Sequence, residues 1–68
     1  MDTTKRDIGS RVRSIRESRN LLQREIAGVA GIPTRTIGRI ERGEVDMRLS
    51  TLSKIAGALG VSMKDLIP

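Results

Sequence analysis

Three arginines, Arg35, Arg39 and Arg42, recur at i, i+4 and i+7, the spacing that puts side chains on one stripe of an α-helix. Like charges on such a stripe repel each other and contribute nothing to folding. Opposite a polyanion the stripe becomes favourable. The guanidinium fork matches the O6 and N7 acceptors of guanine, and one good bidentate contact separates right from wrong base by about 1–3 kcal/mol. Thr34 and Gly38 border the stripe, and Ile37 and Ile40 mark the opposite, buried side. The bland alternative is a solvated basic face. The chain as a whole leans the same way, with 13 basic against 8 acidic residues and a net charge of +5. Ten of the basic residues are arginines, and phosphate contacts are the simplest use for such a surface.

Other chemistries lack their parts. Cys, His, Phe, Tyr and Trp are all absent. Without Cys there is no disulfide, no thiolate nucleophile and no Cys-based zinc site. Without His the commonest general base and metal ligand are missing. The eight carboxylates form no spaced pair in a recognisable loop, and no phosphate-cradling glycine loop or nucleophile motif occurs. The expectation is a non-enzyme with no cofactor and no metal. Base-stacking platforms cannot be built from aromatic rings here, which disfavours single strands and RNA. Sixty-eight residues suit one small domain, residues 1–68, with little spare stability. No apolar run approaches the roughly 18 residues of a membrane span. The start, Met1 to Asp7, lacks the apolar stretch of a signal peptide. A cytoplasmic, nucleoid-associated chain with no membrane partner is expected.

The elements that position the arginines are helical. Ile8, Val12 and Ile15 fall at i, i+4 and i+7, and Thr4 with Asp7 fits a capping start, which predicts a first helix over 5–18. Asn20 is a plausible left-handed stop. A second helix is predicted over 23–30, burying Ile26, Ala27 and Ala30. Gly31 then supplies the positive φ of a tight turn. Pro33 suits the opening of a third helix over 33–42, closed by Gly43. Residues 44–48 have no period and read as a loop. Leu49, Leu52, Ile55, Ala56 and Leu59 predict a fourth helix over 49–59, ended by Gly60. Ser62 and Asp65 repeat the capping start and predict a short fifth helix over 62–67. No segment alternates with period two. The expected fold is all-α with five helices.

Two short helices that cross closely need a small residue at the crossing, glycine at the turn and buried aliphatics on both arms. The stretch Gln23–Gly43 supplies Ala27, Gly31 and Ile26, Ile32, Ile37 and Ile40. It resembles the helix-turn-helix of the Cro and phage-repressor family, the XRE-like regulators. Gln23, Ala27, Gly31, Ile37, Ile40, Glu41 and Gly43 match the family pattern, as does Lys54–Ser62, and the resemblance runs from about Ile8 to Leu66. It implies a compact five-helix domain, with the motif at about 23–42, that regulates transcription by binding specific double-stranded DNA, as a repressor. In such proteins the second helix of the motif enters the major groove.

Carried over position by position, the resemblance makes Thr34, Arg35 and Arg39 base readers. Gln23 and Thr36 become phosphate or positioning contacts, and Arg42 and Arg48 lie along the backbone. Gln23 has the plainer role of a helix-start residue as its alternative, and Thr34 and Thr36 that of capping the third helix. In this family the residue matching Glu41 commonly pairs with an arginine of the first helix, here Arg16. The implied role is structural, tying the first helix to the end of the third.

Three positions depart from the pattern. Pro33 stands where Ser or Thr often caps, Gly38 where a side chain usually faces DNA, and Leu22 where Ser or Thr often caps the second helix. Gly within a helix costs about 1 kcal/mol relative to Ala. A second class of function has the same fold: an antitoxin-like or adaptor module with a protein partner. One reading helix covers only about four or five base pairs, too few against genomic competitors. Pairing across a two-fold axis on a palindromic site solves this. Val61, Met63, Leu66 and Ile67 are the expected homodimer contact, unless they close the core instead.

Overall fold

The computed structural model describes residues 4–68; the reading that no apolar leader opens the chain falls partly on Met1–Thr3, outside the described residues. The chain runs through α1 (Lys5–Ser18), α2 (Gln23–Ala30), α3 (Thr34–Glu41), α4 (Leu49–Leu59) and a single 3₁₀ turn at Met63–Asp65. The described residues thus form four helices and no strand.

The first helix starts where its sequence can satisfy the orphan amides. The Thr4 hydroxyl accepts from the Asp7 N–H at 3.1 Å, and the Thr4 N–H donates to Asp7 Oδ2 at 3.4 Å, a reciprocal capping box. All four helices end alike. A residue of positive φ follows each one, namely Asn20 (56°), Gly31 (70°), Gly43 (72°) and Gly60 (75°). The next N–H then reaches back five residues: Leu21 to the Arg16 carbonyl, Ile32 to Ala27, Glu44 to Arg39 and Val61 to Ala56, at 3.0–3.1 Å. This closure satisfies carbonyls that the helix leaves unpaired, and a hydrophobic contact from the residue after the turn usually accompanies it. Leu21, Ile32 and Val61 do pack against the core. Glu44 stands in that place after α3.

Two boundaries differ from expectation. Pro33 lies just outside α3 as its cap residue, with ψ 139°, and Arg42 forms the other cap. The fifth helix is corrected to one 3₁₀ turn. Its bonds run i to i+3, from the Asp65 N–H to the Ser62 carbonyl at 3.0 Å and from the Leu66 N–H to the Met63 carbonyl at 2.9 Å. Asp65 Oδ2 accepts from the Ser62 N–H at 3.0 Å, so the start signal is used. With so few residues before Pro68 there is no length over which an α-helix can repay its nucleation.

The core is wholly aliphatic: Val12, Ile26, Ala27, Ile37, Ile40, Leu52, Ile55, Ala56, Leu59 and Leu66. α1 packs on α3, and α2 on both α3 and α4. The approach of α1 to α3 depends on Gly9, where an added Cβ would collide with the Ile40 carbonyl. Arg19, the cap residue at the end of α1, donates to the Leu59 carbonyl at 2.9 Å, covering one of the open carbonyls at the end of α4. Leu49, assigned to the apolar period of α4, is 71% exposed; the buried stripe begins at Leu52.

Candidate nucleic-acid interface

α3 is held from behind and left open in front. Ile37 and Ile40 are buried, while Thr34, Arg35, Arg39 and Arg42 are exposed. The arginine stripe therefore lies on the solvent side of a helix whose other side is anchored in the core. No acidic residue sits in the first turn of α3, and Pro33 contributes no side-chain cap. The amino end of the helix keeps its partial positive charge, next to Thr34 and Arg35. Since the cap position belongs to Pro33, neither Thr34 nor Thr36 caps α3. Thr36 is half-buried.

Behind the stripe lies an ion-pair network. Arg16 Nε donates to Glu41 Oε2 at 2.7 Å and Arg16 Nη2 to Glu41 Oε1 at 3.1 Å. The Arg16 Nη1 also donates to the Leu21 carbonyl at 2.8 Å. The two side chains are 11% and 3% exposed. The Glu41 hydrogen bond pushes the Arg16 pKa further above its ordinary value, against the opposing effect of burial. Glu41 thus turns away from the stripe, and α1 is fastened to the end of α3.

Gln23 joins the same network, which its sequence position does not reveal. Its Nε2 donates to Glu41 Oε1 at 3.0 Å, so the first residue of α2 is tied across the motif to the last residue of α3. Gly38 lies beside this network. A Cβ there would lie 3.2 Å from the mobile end of Arg42, at Nη1, and in ordinary contact, 3.6–3.7 Å, with the Gln23 amide. At Leu22 the missing side-chain cap is partly offset, because Glu25 Oε1 accepts from the Leu22 N–H at 2.7 Å.

One residue of this region carries no earlier assignment. Glu44, in the segment read as an aperiodic loop, accepts from Arg42 Nε at 2.7 Å and from Arg42 Nη2 at 3.4 Å. It also lies 3.7 Å from Arg39 Nε. Arg42 donation holds the Glu44 carboxyl below the usual carboxylate range. The signal for it was the spacing, two residues after Arg42 and five after Arg39. Arg48 is exposed at the cap position of α4.

The surface expected for pairing is smaller than its sequence suggested. Leu66 is corrected from a dimer contact to a core residue: it is 0% exposed, because the 3₁₀ turn points it inward. Val61 and Met63 lean on the core, and Ile67 stays open at 39%. Among the described residues no helix is long and apolar enough to cross a membrane.

Comparison with known proteins agrees with this architecture. A family model described as helix-turn-helix matches residues 12–66. An uncharacterized HTH-type transcriptional regulator, y4mF, of Sinorhizobium fredii is 38% identical over 65 residues, covering 96% of this chain and 86% of that protein. The immunity repressor protein of Bacillus phage phi105 is 35% identical over 60 residues, covering 88% of this chain but 42% of the repressor. Among solved structures, the restriction-modification controller protein C.AhdI from Aeromonas hydrophila superposes with a TM-score of 0.88 at 29% identity, covering 91% of this chain and 94% of the controller. With the model matched over most of the chain and the two-helix motif in place, the chain belongs to the helix-turn-helix family of DNA-binding transcriptional regulators, of the Cro and phage-repressor type.

Proposed function

We propose that the chain is a repressor that reads double-stranded DNA by laying α3 in the major groove. The observation that carries the reading is the stripe of Arg35, Arg39 and Arg42, exposed on a helix whose opposite side is pinned by buried isoleucines and by the Glu41 network. A rigid helix bearing forked donors can discriminate base edges, because its side chains start from fixed positions. In this reading Thr34, Arg35 and Arg39 face bases. Thr36, Arg42 and Arg48 face the backbone. Gln23 joins them as a positioning residue, its amide braced by Glu41. The likeness to a phage immunity repressor and to a restriction-modification controller supports the regulatory reading.

Affinity on duplex DNA is expected to fall steeply with salt. With roughly 4–6 phosphates contacted per protomer, log K should drop with a slope of about −4 to −5 per protomer on log salt. The measurement is a titration of labelled genomic fragments, first selected for retention by the purified chain. A nearly flat response would count against the whole reading.

The reading includes a weak homodimer, because one α3 spans too few base pairs to specify a site. Half-sites would lie about one helical turn apart. Ile67 is the exposed member of the expected set, and Val61 and Met63 are half-buried. Sedimentation should find mostly monomer at low micromolar concentration and two protomers per palindromic duplex at saturation. One protomer per duplex would reject the pairing.

A further inference from the structure

We infer that Glu44 is a specificity-determining residue of this interface, one that holds Arg42 and restrains Arg39 so that duplex lacking the right bases is bound less well. The inference rests on the placement of α3 in the groove.

The position of the carboxylate is built into the fold. At the ends of α1, α2 and α4, the residue after the left-handed turn is Leu21, Ile32 or Val61, each packed on the core. At the end of α3 the same position is Glu44. Its N–H donates to the Arg39 carbonyl at 3.0 Å, which fixes the backbone against the last turn of α3. The side chain then meets Arg42 through two hydrogen bonds and lies 3.7 Å from Arg39. A carboxylate there occupies ground that a phosphate would take.

The consequence differs between right and wrong DNA. Binding to any duplex is largely phosphate neutralisation. On a duplex without the preferred bases, Arg39 and Arg42 both have only phosphates to meet, and Glu44 opposes both. On the preferred site Arg42 still faces phosphate and Glu44 opposes it there as well, but Arg39 leaves its long contact for a base edge. Glu44 therefore weakens wrong-site binding more than right-site binding.

The test compares the wild-type chain with Glu44→Gln on the preferred duplex and on a duplex with the central bases exchanged. Gln keeps the size and the backbone bond. Binding to the exchanged duplex should tighten about two- to fivefold, as expected for exposed ion pairs, with a smaller gain on the preferred site. The salt slope should steepen by about 0.9 for each arginine freed. In the Arg39→Ala background the difference between the two gains should vanish, and Glu44→Ala should act in the same direction as Glu44→Gln. Equal gains on both duplexes, or unchanged or weaker binding to the exchanged one, overturn the inference. Arg39→Ala measured alongside separates the two levels. If it relaxes base preference while Glu44→Gln changes nothing, the groove assignment stands and the inference alone fails.

Discussion

Glu41→Ala is expected to remove a large part of the domain's stability at 25 °C. Breaking a buried ion pair from one side costs about 3–5 kcal/mol, and a domain of this size has only about 3–10 kcal/mol in total. The reason is the partner left behind. Arg16, with a side chain 11% exposed, would lose both hydrogen bonds to Glu41 and keep the Leu21 carbonyl and a long contact, 4.0 Å, to Glu17. The Gln23 amide would lose its acceptor as well. α1 and α2 would both come loose from the end of α3, which would displace the arginine stripe before any DNA is met. Urea unfolding followed by circular dichroism gives the measurement. Replacing both partners by apolar residues, Arg16→Met with Glu41→Leu, should recover a large part of the loss, since no buried charge is then stranded. An alanine variant within about 0.5 kcal/mol of wild type, the range of ordinary surface changes, would mean that the network does not hold α3 in place.

Arg39→Ala is expected to weaken the preferred site by about 1–3 kcal/mol and to relax preference at one or two base pairs, and Arg35→Ala should do the same at different positions. Both residues are exposed, so the folded state should survive. Arg48→Ala is the contrasting variant. It should weaken all sequences about equally and make the salt slope shallower by about 1. Competition against a set of singly exchanged duplexes measures all three. Should Arg39→Ala leave base preference untouched, α3 is not the reading element.

The helices were legible because their signals are local. Thr4 and Asp7 announce α1, and Asn20, Gly31, Gly43 and Gly60 end the four helices at the residues where φ turns positive. Ile26, Ala27, Ile37 and Ile40 fall on the buried side by period alone. The fifth helix was misread because its start signal is real but its length is not. Leu66 and Leu49 were misplaced for a related cause. Period says which residues share a face, and only the packing of neighbours says how far along that face the core extends.

The candidate site divides along the same line. The all-helical chain, the two-helix motif and the stripe of three arginines can be read from the residues directly, because caps, turns and period are signals carried within each helix and the turn that follows it. What lies behind and beside that stripe depends on how the helices pack. Gln23 and Glu41 are 18 residues apart, and no spacing rule connects them. Gly9 and Ile40 meet only because two helices cross. Even Glu44, near in sequence to its arginines, is aimed at them by the turn that ends α3. Periodicity reports one helix face at a time, whereas a hydrogen bond between helices depends on where the folded core sets their axes.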